Sequence, residues 1–244
     1  QLDRLAQLAA TTDGKITATD AKKAADSDHG IEVALFGRMV ADSKDLNVDS
    51  AVQVAHALST HAVEIESDYL TAVDDYKLDE DDAGAGMIGT VEFTSETLYR
   101  FATVAVSTLK DNLGDVDLTA QAASAFVRGF IMSMPTGKQN TFANNTIPDA
   151  VVVQVRKGRS ASFIGAFEDP VTSDDGGFVA ASCQAVAAYA HDCEEAFLGA
   201  PEASFVTRVG SRTEAIGTMG TQMPIDDLVS SVRDQVTSLL QDES

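Results

Sequence analysis

Long apolar runs, secretory features and cysteines are scarce in this sequence of 244 residues. No stretch approaches the ~20 uncharged apolar residues that a membrane-spanning helix needs, and no charged and apolar leader of a secreted protein opens the chain. The two cysteines, Cys183 and Cys193, are too few for a disulfide framework or a zinc site. Both lie in one predicted helix, so we interpret them as buried thiols and expect a cytoplasmic protein.

Basic residues are also scarce. Seventeen lysines and arginines stand against 38 aspartates and glutamates, which gives a net charge of −21. This balance argues against a protein that coats nucleic acid with a basic surface and against binding to anionic membranes. It is equally typical of a protein kept soluble in a salty cytoplasm. Because net charge is only a sum, a small basic groove on an acidic body is compatible with it.

Apolar residues make up 44% of the chain, enough for a core, and their spacing predicts a mixed fold. Helical periodicity and end signals predict helices over 49–62, 118–133, 178–198 and 225–240, with a weaker one over 1–10. Runs rich in β-branched and aromatic residues predict strands over 31–36, 97–106, 150–155 and 162–167. Helices and strands do not alternate strictly, so we predict the α+β class rather than a doubly wound sheet.

One segment, 64–97, is long and has few core-like runs. It holds Asp74 and Asp75, an acidic cluster over 79–82 and the glycines of 84–89. A segment of this length inside a compact domain is usually functional or docked on a partner. The glycines match the G-x-G-x-x-G dinucleotide string, but an acidic run precedes them where a strand is required, so we interpret them as a loop.

No arrangement of side chains in the sequence predicts catalysis. Met134–Lys138 lacks the first glycine of a phosphate loop, and His56 and His61 lie too far apart around a helix to hold one metal ion. Adjacent Asp74 and Asp75 point to opposite sides of an extended segment. We therefore predict no catalytic residue, metal or cofactor, with a metal-dependent nuclease that uses carboxylates near Asp74 as the alternative. A purely protein-binding acidic module is a third alternative.

Several segments occur together in an order and spacing that resemble one known family. They are Val33–Met39, Ala55–His61, Asp68–Asp75, Gly89–Phe93 with Leu98–Ala102, Pro135–Thr141, Gly165–Glu168 and Gln222–Pro224. From about Gly30 to its end the chain resembles the CasC family, whose members form the backbone of Cascade, the type I-E antiviral CRISPR surveillance complex. The resemblance implies an RRM-like (ferredoxin-like) palm with helical insertions and a protruding thumb.

The resemblance also implies how the chain is organised and what it binds. Residues 31–244 would form the palm, with the thumb inserted at about 64–97, and residues 1–30 would be a remnant of the helical finger region and a linker. The N-terminal part of the family fold is not visible in this sequence. Implied partners are CRISPR RNA, target DNA through that RNA, other copies of the chain and other Cascade subunits, with no membrane. Several copies would stack along one RNA as a non-catalytic filament.

Seven RNA-binding residues follow from the resemblance, in three groups. They are Arg38 and Met39, then Leu70 and Thr71, then Lys138, Gln139 and Asn140. Arg38 would pair with a phosphate and Met39 would contact a base, with core packing as the alternative for Met39. Leu70 and Thr71 would lie at the root of the thumb, where an apolar side chain wedges against an unstacked base. The loop with Lys138 would contact phosphates or 2′-hydroxyl groups, or else serve as a simple connection from helix to strand.

Overall fold

The computed structural model describes residues 2–11, 16–17, 19–20, 30–42, 44–72, 87–173 and 177–242, and within them the chain is an α+β protein, as predicted. The helices are α1 (Leu2–Thr11), α2 (Ile31–Phe36), α3 (Val106–Leu113), α4 (Val116–Met132), α5 (Gln139–Phe142), α6 (Val179–Cys193) and α7 (Ile225–Asp242). The strands are β1 (Val52–Val54), β2 (Leu58–Ser59), β3 (Glu66–Ala72), β4 (Met87–Phe93), β5 (Leu98–Tyr99), β6 (Ala102–Val104), β7 (Ala150–Val155), β8 (Ala203–Arg208) and β9 (Thr221–Gln222). Short 3₁₀ turns cover Lys44–Leu46, Ile164–Phe167 and Ser211–Met219, and a π-helical turn covers Glu194–Leu198.

The first six strands form one long, interrupted hairpin. β1 pairs with β6, β2 with β5 and β3 with β4, all antiparallel, from Val52 opposite Val104 out to Ala72 opposite Met87. Val52 at the root is buried, whereas Val54 and the side chains of 66–71 are exposed. The β1–β6 end is therefore rooted in the core, and the β3–β4 ribbon extends from it with exposed side chains.

A three-stranded sheet carries helices on both of its faces. β8 runs antiparallel to β7 and parallel to β9. Because successive side chains of a strand point to opposite faces, Val151 and Val153 pack with the α7 cluster, whereas Val152 packs with Cys183 of α6. The predicted strand 150–155 is thus confirmed, although a nearly continuous apolar run of this kind is typical of a central strand. Its continuous apolar run reflects burial on both faces, while β7 lies at an edge of the described sheet.

The helix pair α4 and α7 supplies much of the core. Asp115 caps α4, since its Oδ1 accepts a hydrogen bond of 2.7 Å from the Leu118 amide. On α7, one stripe of buried residues at helical spacing faces α4 and the sheet; it consists of Leu228, Val232, Val236 and Leu240. The predictions for 1–10, 118–133, 178–198 and 225–240 are confirmed as helices, the third of them ending in the π-helical turn.

Three sequence predictions of short elements are wrong. Residues 31–36 form α2 instead of a strand, because Ala34 and Leu35 are both buried against α3, α4 and β1, which an alternating strand would not allow. Residues 49–62 contain β1 and β2 instead of a helix, since their backbone groups bond to residues 98–104. The predicted strand over 162–167 is a 3₁₀ turn at Ile164–Phe167 instead.

Other segments were predicted only in part. The strand predicted over 97–106 is divided into β5 and β6, and α3 begins at its end. Neither α3 nor β8 was predicted. The segment 64–97 contains the β3–β4 hairpin rather than a structureless loop. The predictions that concern Asp74, Asp75 and the first two glycines of 84–89 lie outside the described residues, and the RRM-like palm and the domain boundaries stay predictions.

Candidate nucleic-acid interface

A glycine turn after α2 presents Arg38 and Met39. Gly37 has φ +76°, and a Cβ there would lie 2.8 Å from the Val48 carbonyl oxygen, so only glycine fits. Arg38 then pairs with Val48 through two backbone hydrogen bonds of 2.9 Å, and its Nε donates to the Leu46 carbonyl at 2.8 Å. The side chain of Met39, 87% exposed, points away from the core. Core packing, the alternative considered for Met39, is therefore wrong.

One nitrogen of the Arg38 guanidinium has no hydrogen-bond acceptor among the described residues. Its Nη2 is buried and makes no hydrogen bond to any residue that the structure describes. A buried donor without an acceptor costs free energy, and more so on a charged group. An anionic oxygen that reaches this nitrogen would supply a charge-assisted hydrogen bond. The position of Arg38 is thus suited to a phosphate, while its Nε bond to Leu46 keeps the side chain in place.

A row of aromatic rings runs from this turn along α4. Phe36 meets Phe126 edge to face at 6.1 Å between centroids, and Phe126 stacks on Phe130 at 6.1 Å. The guanidinium of Arg100 lies over the Phe130 ring at 4.5 Å. Arg100 also donates to the carbonyl oxygens of Phe130 and Ser133 at 3.2 and 3.3 Å, at the C-terminal end of α4 where cations are favoured. The row therefore connects the Arg38 turn to the start of the loop that leads to Lys138.

The loop after α4 contains the predicted residues Lys138, Gln139 and Asn140, all of them exposed. Lys138 adopts the left-handed conformation, with φ 60°, and begins the short helix α5. Its carbonyl oxygen accepts hydrogen bonds from the amides of Thr141 and Phe142 at 3.0 and 2.9 Å. The loop is thus locally structured, and the charged end of Lys138 is presented to solvent.

Leu70 and Thr71 of the β3–β4 hairpin are also exposed. Leu70 is 49% exposed and lies opposite Gly89, which has no side chain to cover it. Tyr69 is 61% exposed and, as the neighbouring strand residue, points to the other face of the ribbon. Sequence reasoning did not select Tyr69 or Arg100. Both could have been found, since each lies inside a segment that carries the family resemblance.

Two contacts fix the hairpin to the rest of the molecule. Phe93 at the end of β4 meets Phe142 of α5, with ring centroids 5.9 Å apart, which joins the hairpin to the Lys138 loop. At the root, His61 stacks on Phe178, with centroids 3.7 Å apart and planes 13° from parallel. The structure therefore joins the Lys138 loop to the hairpin through one aromatic contact and to the Arg38 turn through the row on α4.

The hydrogen bonds of His61 determine the tautomer of its ring. Its Nε2 accepts from the Thr97 amide at 3.1 Å, and its Nδ1 donates to the Ala62 carbonyl at 2.8 Å. These two contacts correspond to the tautomer with the proton on Nδ1. Next to it, the Ser182 hydroxyl of α6 hydrogen-bonds to Thr60 at 2.8 Å. His61 is a core histidine, and His56 is exposed.

Among the residues that the structure describes, there is neither a metal-binding cluster nor evidence of a reactive Cys183 thiol. No group of three or more His, Cys, Asp or Glu side chains comes together there to hold a metal ion. Cys183 is buried, and burial together with the negative charge of Asp149 raises the pKa of its thiol to about 11. It is therefore a protonated, unreactive thiol at neutral pH. Among the described helices, none is both long enough and apolar enough to span a membrane.

The chain is similar to one protein family and to solved structures. Residues 1–231 match the family model described as CT1975-like protein. A solved structure described as "CRISPR RNA-guided surveillance complex, pre-nicking" has 34% sequence identity and a TM-score of 0.78 over 89% of this chain. A second, "CRISPR RNA-guided surveillance complex", has 35% identity and a TM-score of 0.72 over 82% of this chain and 78% of its own. No curated protein matches the sequence.

The fold and the exposed polar and apolar groups define an α+β protein similar to chains of CRISPR RNA-guided surveillance complexes. The chain belongs to the CT1975-like protein family, which confirms the predicted membership of the CasC family. It spans 59% of the length of the first matched chain.

Proposed function

We propose that the chain is a non-catalytic backbone subunit of a CRISPR surveillance complex that grips the guide RNA and leaves its bases free to pair with target DNA. The observation that carries this proposal is the joining of three exposed segments through aromatic contacts. These segments are the Arg38 turn, the β3–β4 hairpin and the Lys138 loop. The two similar solved structures, both described as RNA-guided surveillance complexes, support it.

The chemistry of each segment suits a part of single-stranded RNA. Arg38 would contact a phosphate, since its Nη2 has no hydrogen-bond partner among the described residues, and the exposed Met39 beside it offers an apolar surface to a base. Leu70 wedges against an unstacked base, with Thr71 next to it on the ribbon. Lys138, Gln139 and Asn140 supply donors for phosphates and 2′-hydroxyl groups. Contacts of this kind read the backbone and shape of the RNA and not its sequence.

A sequence-independent grip is what a guide-binding scaffold requires, because pairing of the guide supplies the specificity. In this proposal residues 31–244 form the palm, with the hairpin region as its thumb, and residues 1–30 belong to the finger region and a linker. Other copies of the chain and other subunits of the complex are its protein partners. Target DNA is a partner through the RNA alone.

A gel-shift experiment tests this function. The purified chain is incubated with two labelled guide RNAs of equal length and different sequence, with and without Mg²⁺ or Mn²⁺. We expect both RNAs to be retarded to a similar extent and to stay intact. Metal-dependent cleavage would favour the nuclease alternative instead, and the absence of retardation at every salt concentration would favour a protein-binding acidic module.

A further inference from the structure

A second exposed basic feature directly follows β7, far from the Arg38 turn in the sequence. In a chain of net charge −21, three of the 17 basic residues fall within four positions, Arg156, Lys157 and Arg159. Gly158 between them has φ +90°, which allows the tight turn. Lys157 and Arg159 are exposed, and neither makes an ion pair or a hydrogen bond with its side chain to a described residue. We call residues 156–159 the basic turn.

Arg156 has a different role from its neighbours, since it holds the basic turn in place. Its side chain is only 9% exposed and forms an ion pair with Glu194. It also donates to the Gly199 carbonyl at 2.8 Å and to Oε1 of Gln154 at 3.1 Å. Both Glu194 and Gly199 border the π-helical turn, which is closed by a hydrogen bond of 2.9 Å between the Gly199 amide and the Glu194 carbonyl. One buried side chain therefore fixes the basic turn against the π-helical turn.

The π-helical turn carries an aromatic side chain that is almost fully exposed to solvent. Phe197 is 90% exposed, and π-helical turns within helices occur frequently at functional sites. Because Glu194 is neutralised by Arg156, the net positive charge of the basic turn comes from Lys157 and Arg159. Arg156 connects the turn that carries Phe197 to the basic turn, so an exposed aromatic ring and two cations without a described partner lie on adjoining segments. This combination suits single-stranded nucleic acid, with a base on the ring and phosphates on the cations.

We propose that the basic turn and Phe197 bind single-stranded DNA, with a base stacked on Phe197 and phosphates contacted by Lys157 and Arg159. The choice of DNA rests on the proposed function, because pairing of a guide with one strand of a duplex releases the other strand. This site is separate in sequence from the residues proposed for the guide, and Arg156 gives it a rigid base.

Binding of the chain to a labelled oligothymidylate, followed by fluorescence anisotropy over a range of salt concentrations, tests the site. The double variant Lys157→Ala/Arg159→Ala should weaken binding and lower the slope of log affinity against log salt by about 1.4, at roughly 0.7 for each phosphate contact to a single strand. Phe197→Ala should weaken binding about tenfold with the slope unchanged, since stacking releases no counterions. The charge-conserving variant Lys157→Arg/Arg159→Lys should bind like the parent chain.

A matched control removes two exposed charges elsewhere. Arg212→Ala/Arg233→Ala changes the net charge equally and should leave both the affinity and the slope nearly unaltered. If this control reduces binding as much as the basic-turn variant, or if the basic-turn variant binds oligothymidylate like the parent chain, the proposed site is overturned. Unaltered DNA binding together with the loss of a copurifying protein partner would also overturn it, in favour of a protein interface.

The same measurement with RNA separates this proposal from the proposed function. Lys138→Ala is expected to weaken RNA binding, whereas the basic-turn variant is expected to affect DNA more than RNA of the same length. If Lys138→Ala has no effect on RNA, the proposed guide site fails while the DNA result still decides the basic turn. An equal loss of RNA and DNA affinity in the basic-turn variant would contradict a site devoted to the DNA strand.

Discussion

His61 and Phe178 stack nearly parallel, with ring centroids 3.7 Å apart, and thereby attach the root of the β3–β4 hairpin to the helix α6. The imidazole contributes two further contacts, because Nε2 accepts from the Thr97 amide and Nδ1 donates to the Ala62 carbonyl. Thr97 precedes β5 and Ala62 precedes β3, so one side chain joins both strands of the hairpin at their base.

Replacement of this histidine should therefore destabilise the protein. We expect His61→Ala to reduce the free energy of unfolding by about 2 kcal/mol, because the Thr97 amide loses its acceptor and the Phe178 ring loses its stacking partner. Chemical denaturation of the two proteins measures the difference. His56→Ala is the control, since His56 is exposed and its loss should change stability by less than about 0.5 kcal/mol. Equal effects of the two substitutions would show that the stack does not anchor the hairpin.

Met39 should matter for RNA binding and not for stability. Because its side chain is 87% exposed, Met39→Ala leaves no cavity, and the melting temperature should hardly change. RNA affinity should fall through the loss of apolar contact with a base. Leu109→Ala is the contrasting variant: Leu109 is fully buried, and its truncation should cost about 2–5 kcal/mol of stability. Melting curves and RNA titrations of both variants decide the matter, and unaltered RNA affinity of the Met39 variant would remove this residue from the site.

Lys138 should act on RNA without regard to its sequence. Lys138→Ala removes one exposed charge from a structured loop, so affinity should fall uniformly across guide sequences. The salt slope of log affinity should decrease by about 0.7, one phosphate contact to a single strand. Titrations with several guide RNAs at three or more salt concentrations measure both quantities, with Arg233→Ala on the exposed face of α7 as the control. A loss confined to some guide sequences would indicate base recognition instead.

The thiol of Cys183 should react slowly with alkylating reagents at neutral pH. Its pKa is raised from the ordinary value of 9.0 to about 11, first by burial and second by the charge of Asp149. Since the folded-state pKa lies above the unfolded value, the contribution of this thiol to stability is present below pH 9 and is lost as the pH rises from 9 to about 11.

Iodoacetamide labelling followed by mass spectrometry between pH 7 and pH 11 measures this reactivity. The rate at Cys183 should keep rising up to about pH 11, whereas in denaturant it should level off near pH 9. Cys193, which is half-buried, provides an internal comparison in the same sample. A Cys183 rate that levels off near pH 9 in the folded protein would contradict the raised pKa.

The sequence by itself determined the long elements and the family. The helices α4 and α7 each have buried residues at helical spacing along most of their length, and β7 is a nearly continuous apolar run bounded by polar residues. In elements of this length local preferences add up, so the pattern alone identifies them. Met39, which the resemblance placed among the RNA-binding residues, is exposed, and its contact with RNA stays a prediction.

Only the tertiary structure decided the short elements and the way in which the candidate site is joined. Residues 52–54 and 58–59 have helix-like spacing but become strands, because their backbone groups find partners near residues 98–104 that no local pattern reveals. The helix α2 forms because two adjacent residues, Ala34 and Leu35, are both buried. Helix and strand propensities differ by well under about 1 kcal/mol per residue. In an element of three to six residues, long-range hydrogen bonds and burial outweigh such differences. Two aromatic contacts, Phe36 with Phe126 and Phe93 with Phe142, join segments of the candidate site that are far apart in the chain. The sequence does not reveal them, because these side chains meet only in the folded protein.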